Sequence, residues 1–297
     1  MVYPLSKSTI KLLAPAKINI GLLIKRKLPS NYHEIETIMV PIRLFDMLII
    51  SRKGQSISFR TNSKKIPKGK KNLVIKAAEI FFREINIKTG VDIVLKKQIP
   101  VGAGLGGGSS DAAATLLGLN ELYGSPLSFN QLRQLALKVG MDVPFFLYKQ
   151  PCYVTDCGEI IKPMQLPKFH ILICTPNFSV NTKWAYAQYD KYVAKNFSFG
   201  KNLTDANFRF KLLINRLIKC KLAGINALLV NSFESVIYNK HPELLRIRNL
   251  LLACGVYAVS LTGSGSAIMA LIEKNMERNI RNCLQNINCR LIFTETI

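Results

Sequence analysis

The chain is 297 residues long and 48% hydrophobic, enough for two domains, or one large one, around a buried core. Its 41 Lys and Arg against 18 Asp and Glu give a formal net charge of +23, which favours anionic partners. The basic residues are scattered, as in Lys64-Lys65, Lys70-Lys71 and Lys96-Lys97, with no zinc-finger spacing or aromatic RNP string; small anionic substrates are therefore expected, not nucleic acid and, without an apolar run of about 20 residues, not a membrane.

In chain order, Met1 to Lys7 lacks the charged and apolar regions of a signal peptide, so no leader is expected. Residues 8–13 and 15–24 read as strands. Strict alternation in Ala16-Lys17-Ile18-Asn19-Ile20 puts Lys17 and Asn19 on one face and both isoleucines toward a core. Asn31-Tyr32-His33 reads as a polar loop. Strands follow at 45–50 and 56–60, with a lysine-rich loop at 62–71. Apolar residues at 73, 77, 80, 81 and 85 stripe a helix over 72–85. Next come a strand at 91–95, a glycine-rich loop and an alanine-rich helix to about Tyr123. Ser128 caps a helix that reaches Lys138 and closes at Gly140. Prolines over 160–168 mark a boundary, giving an N-terminal domain of 1–163 and a C-terminal domain of 164–297. The latter holds a strand at 170–174, helices between 182 and 253, and a strand–turn–strand over 256–272. The 7 cysteines lack Cys-x-x-Cys spacing, which points to reduced thiols in a cytoplasm and away from a zinc site at Cys152 and Cys157.

The most informative segment is the glycine loop ahead of the alanine-rich helix. Glycines let the backbone approach an anion, and the helix N-terminus adds unpaired N–H groups and a positive dipole end. A Walker A loop needs Gly-Lys-Ser/Thr, which the chain lacks. The dinucleotide fingerprint is met literally by Gly102, Gly104 and Gly107. However, Lys96, Lys97, Gln98 and Pro100 interrupt the apolar strand, and Glu121 falls inside a helix instead of ending a second strand. A nicotinamide-dependent oxidoreductase is thus the alternative from another class, and a basic RNA-binding protein a more distant one.

Four further segments carry candidate chemistry. Lys17 can stabilise a transferring phosphoryl group, or be a solvated lysine on an edge strand. Asp142, in Gly140-Met141-Asp142-Val143-Pro144, can serve as a general base or cap the turn before the proline. Tyr32 and His33 can stack on and hydrogen-bond a base, or simply lie on the surface. Gly263, Ser264 and Gly265 can line a phosphate site or make a tight hairpin.

Taken together, Ala14 to Leu22, Tyr32-His33, Pro100 through Ala114, Asp142 to Phe146 and Thr262 to Ser266 resemble the GHMP kinase superfamily along the whole chain. Pro15-Ala16-Lys17-Ile18-Asn19 with Tyr32-His33 resembles the branch whose acceptor is a cytidylylated methylerythritol. That resemblance implies an α/β fold of the α+β type in two domains, with mixed or antiparallel sheets, helices and an active site in the interdomain cleft. It implies transfer of the ATP γ-phosphate to the acceptor's 2-hydroxyl in the non-mevalonate route to isoprenoid precursors. Lys17 and Asp142 would be catalytic. Pro100, Val101, Gly102, Ala103, Gly104, Leu105, Gly106, Gly107, Gly108, Ser109 and Ser110, with Leu73 and Lys97 near the adenine, would bind ATP. Asn19, Tyr32, His33, Tyr186, Gly263 and Ser264 would bind the acceptor, with cytosine between Tyr32 and Tyr186. Mg2+ is implied as the phosphate counter-ion, with Ser110 its candidate protein contact. The chain departs from the family pattern at Asn31, at Met141 and across Asp156 to Glu159, and whether it is a monomer or a homodimer stays open.

Overall fold

A computed structural model describes residues 2–67, 69–196 and 201–297; Lys68 of the expected lysine loop and residues 197–200 of the helical stretch lie outside them. The chain forms two compact units, one of residues 1–17, 41–101 and 106–150, the other of 18–40, 102–105 and 151–297. The boundary expected near 163 falls inside the second unit. The reason is topological: strands β2 (Thr9–Lys27) and β3 (His33–Arg52) each supply residues to both units, so compactness does not follow chain order.

The first unit is built on β1 (Val2–Ser6), β2, β3, β4 (Ile57–Thr61) and β5 (Val91–Lys96), in the order β1-β2-β3-β5-β4. β1 runs antiparallel to β2 and β3 to β5, whereas β4 is parallel to β5. The two strands expected at 8–13 and 15–24 are one, because Ala14 and Ala16 are fully buried and Pro15 does not interrupt the run. β3 likewise absorbs the strand expected at 45–50. Its His33 opens the strand, and Asn31 and Tyr32 stay outside.

The helices of this unit are α1 (Leu73–Glu84), α2 (Gly107–Leu122), α3 (Phe129–Val139) and α4 (Phe145–Tyr148). Asn72 caps α1 by accepting from the Val74 N–H, and Ser128 with Gln131 forms a capping box on α3. α2 presses its glycine onto the sheet. A Cβ on Gly118 would lie 2.8 Å from Leu12 Cδ1 and 3.1 Å from both Ile10 and Ile50 Cδ1, so a larger residue there would have to push these side-chain ends aside.

The second unit holds β6 (Cys152–Asp156), antiparallel to both β3 and β7 (Ile160–Pro163), and a separate four-stranded sheet. That sheet contains β8 (His170–Pro176), β9 (Ala258–Leu261), β10 (Ile268–Ile272) and β11 (Cys289–Glu295) in the order β11-β8-β10-β9, with every pairing antiparallel. Its helices are α5 (Thr182–Asn196), α6 (Lys201–Ile218), α7 (Glu234–Lys240), α8 (Pro242–Ala253) and α9 (Glu277–Cys283). Leu172, Phe233, Ile237, Leu251, Val259 and Ile268 form its core with their neighbours. The expected mixed α/β architecture is observed. The expectation of reduced thiols fails at one pair, since Cys254 after α8 and Cys283 in α9 form a disulfide; Cys152, Cys157, Cys174, Cys220 and Cys289 are free. No described helix is long and apolar enough to cross a membrane.

Candidate active site

In the first unit, the residues expected to act on phosphate gather at the N-terminus of α2. Gly106 is its N-cap at φ 69 and brings no side-chain cap, so the first-turn N–H groups keep their attraction for an anion. A Cβ on Gly106 would lie 2.8 Å from Phe146 Cζ and 2.9 Å from Lys17 Cγ. One on Gly107 would lie 3.0 Å from Lys97 Nζ, and one on Gly108 3.7 Å from Leu73 Cδ1. Lys17, Lys97 and Leu73, chosen from distant parts of the sequence, therefore all border the same helix turn. Gly106→Ala adds a methyl group at a positive φ against Lys17 and Phe146. It is expected to raise the KM for ATP at least tenfold and to destabilise the fold by about 1–3 kcal/mol, read by initial rates and urea unfolding.

Lys17 lies in the interior of β2, its side chain 5% exposed, with Nζ 3.9 Å from Asp142 Oδ2; the aspartate is 40% exposed. Burial holds the ammonium below the usual lysine range, and the Asp142 charge offsets part of that shift. The solvated edge-lysine reading therefore fails. Asp142 sits in the turn between α3 and α4, and the N-cap of α4 is Pro144, so capping that helix is not its task.

Lys97 is engaged more deeply than expected of an adenine contact. Its Nζ donates to Asp46 Oδ2 and, at 2.8 Å, to Asp111 Oδ2, and all three side chains are buried. Asp46 Oδ1 also accepts from the Gln98 N–H at 2.6 Å and the Ile99 N–H at 2.9 Å. The triad thus ties the chain entering the glycine loop, at 97–99, to the helix leaving it, at 111. Asp46 was missed from sequence, yet it carried a signal. It shares the parity of Leu44, Leu48 and Ile50, the buried positions of β3, where a charge requires a partner.

Burial pushes the Asp111 carboxyl up, Lys97 opposes and Asp46 adds to it, leaving the value at about 7 against 3.8 ordinarily. A carboxyl that binds its proton more tightly when folded contributes stability that is full below 3.8 and lost as pH rises through about 7. Thermal unfolding of the wild type should accordingly shift to lower temperature across that window, and Asp111→Asn should flatten the slope. Asp111 Oδ1 and its neighbour Ser110 Oγ are buried without a hydrogen-bond partner. These two oxygens are of the type Mg2+ takes, so the donor set fits the ion.

In the second unit, the first half of the glycine loop packs on the turn after β9. A Cβ on Gly104 would fall 2.2 Å from the Thr262 carbonyl oxygen, and the Ala103 carbonyl accepts from the Ala267 N–H at 3.2 Å. Asn231 Nδ2 donates to the carbonyls of Leu261 and Gly263, and Ser264 Oγ meets Thr182 Oγ1 at 2.9 Å. Thr262 Oγ1 accepts from the Asn19 N–H, and Asn19 Nδ2 donates to Thr37 Oγ1.

The expected base-binding residues of this unit include a pair in contact. Tyr186 of α5 stacks on His33 at 4.5 Å with 21° between the planes, and Tyr32 is 54% exposed. His33 Nε2 lies 2.7 Å from Asp190 Oδ1, and Lys27 Nζ 2.8 Å from Asp190 Oδ2. Asp190 was not found from sequence. It stands 157 residues from His33 on a helix with no motif of its own.

The chain is similar to known proteins. Residues 72–150 match the family described as GHMP kinases N terminal domain, and residues 213–289 match GHMP kinases C terminal. The chain is 36% identical over 263 residues to a 4-diphosphocytidyl-2-C-methyl-D-erythritol kinase of Syntrophotalea carbinolica, covering 88% of this chain and 89% of that protein. It is 38% identical over 266 residues to one from Pelodictyon phaeoclathratiforme, covering 88% of each. A crystal structure of 4-(cytidine 5'-diphospho)-2C-methyl-D-erythritol kinase resembles it with a TM-score of 0.78 at 31% identity, over 96% of this chain and 98% of that one.

Proposed function

This chain belongs to the GHMP kinases, in the family of 4-diphosphocytidyl-2-C-methyl-D-erythritol kinases, and from that premise we propose that it transfers the γ-phosphoryl group of ATP to the 2-hydroxyl of that acceptor, a step of the non-mevalonate route to isoprenoid precursors. The observation that carries the proposal is the Lys17–Asp142 pair beside the uncapped N-terminus of α2. The dinucleotide reading of the glycine loop falls with the family membership. A cytoplasmic setting belongs to the same proposal.

Asp142 accepts the proton of the 2-hydroxyl as its oxygen bonds to the γ-phosphorus and the bond to ADP breaks. Lys17, deprived of water by its burial, pairs with Asp142 and stabilises negative charge on the group in flight. Gly102 to Ser110 hold the phosphates by backbone N–H groups. Leu73 borders the nucleotide, and Lys97 keeps the loop closed through Asp46 and Asp111. Mg2+, when bound, neutralises the phosphate oxygens, and Ser110 Oγ with Asp111 Oδ1 are the groups assigned to hold it. At the acceptor we assign Tyr32, His33 and Tyr186 to the base, with Asn19, Gly263 and Ser264 as further contacts.

Initial rates of ADP formation with a panel of acceptors test this. Turnover is expected with the cytidylylated methylerythritol and not with mevalonate or homoserine. A preference for either of the latter would leave the fold family standing and overturn the substrate.

A further inference from the structure

We infer that Asp190 is a specificity-determining residue: by holding the proton of His33 on Nε2 it turns Nδ1 into a hydrogen-bond acceptor, which selects cytosine over uracil. The inference rests on the reading above that places the acceptor's base at His33. An ionised carboxylate accepts hydrogen bonds and donates none. With Asp190 Oδ1 at 2.7 Å from Nε2, the ring proton therefore belongs on Nε2. Burial pushes the Asp190 carboxyl up, but the bonds from Lys27 and His33 outweigh it and hold the group below its usual range. Lys27, at 2.8 Å, also offsets the carboxylate's charge. Tyr186 fixes the plane of the imidazole by stacking on it. One nitrogen and one face of a buried ring are thus committed within the protein, and the lone pair of Nδ1 is what the ring has left to offer.

Cytosine carries an exocyclic amino donor where uracil carries a carbonyl acceptor. A fixed acceptor pairs with the first and faces a second lone pair in the other, and a site built around one hydrogen-bond pattern rejects the ligand that lacks it. Without Asp190 the imidazole proton can move to Nδ1, and the discrimination should weaken.

The test is the ratio of kcat/KM for the cytidyl acceptor to that for its uridyl analogue, measured on the same preparation so that any loss of folded protein cancels. Asp190→Asn is expected to lower the ratio roughly tenfold, the worth of one net hydrogen bond. The change should lie in the KM of the cytidyl acceptor, with the KM for ATP unmoved. Asp190→Glu should recover part of the ratio, and Lys27→Met should leave it within about twofold, since the Asp190–His33 bond remains. The imidazole nitrogen-15 resonances of His33 should report the Nε2–H tautomer in the wild type and a mixture in Asp190→Asn. If His33→Phe abolishes the preference while Asp190→Asn changes neither ratio nor tautomer, Asp190 has no such role and the base site stands. If His33→Phe leaves the acceptor KM unchanged, the base site itself is misplaced.

Discussion

Asp142→Asn should lower kcat by about a thousandfold while the KM for ATP changes little, because an amide cannot take the proton that the acceptor hydroxyl must lose. The substitution is isosteric and the position 40% exposed, so the melting temperature should stay within a few degrees of wild type. Lys17→Met should cost roughly a hundredfold in kcat, the usual loss of one positioned charge-stabilising group. The double variant should lose much less than the product of the two factors, since proton acceptor and ammonium act as one unit. Additive losses would mean that the 3.9 Å pair is incidental.

The largest effect on stability is expected at Lys97. Lys97→Met leaves the carboxylates of Asp46 and Asp111 buried against one another with no cation. Breaking a buried ion pair from one side costs about 3–5 kcal/mol, which for a chain of this size amounts to roughly 10 °C in melting temperature. The triple replacement Asp46→Asn, Lys97→Met and Asp111→Asn removes every charge together and should recover most of that loss. It should not recover the affinity for ATP, because the ends of the glycine loop are no longer tied across residues 97 and 111. Calorimetry on the two variants, with initial rates at varied ATP, separates the stabilising role from the positioning one. Recovery of both properties in the triple variant would reduce the triad to a structural role.

The parts legible in the sequence were those with local causes. The glycine run ahead of Ala112 announced the loop, alternation about Lys17 announced the polar position on β2, and Ser128 and Gly140 marked both ends of α3. Asn31 does adopt a left-handed φ of 63, which an asparagine tolerates. That there are two units was expected, but where they divide was not legible, because β2 and β3 pass through both units and no composition shift marks a strand's change of unit. Asp46 was half legible, as a charge at a buried parity, but its partners could not be known before Lys97 and Asp111 were seen beside it. Asp190 and the stacking of Tyr186 on His33 depend on how α5 lies against the start of β3, a tertiary fact with no periodic trace.

Identifying the product is the most direct test of phosphoryl transfer to the 2-hydroxyl. ATP, Mg2+ and 4-diphosphocytidyl-2-C-methyl-D-erythritol are incubated with the protein, and the products are followed by phosphorus-31 NMR. A new phosphomonoester on the 2-hydroxyl should form in step with ADP, and about a thousandfold more slowly with Asp142→Asn. ADP accompanied only by inorganic phosphate, or a phosphoester at another hydroxyl, would contradict it.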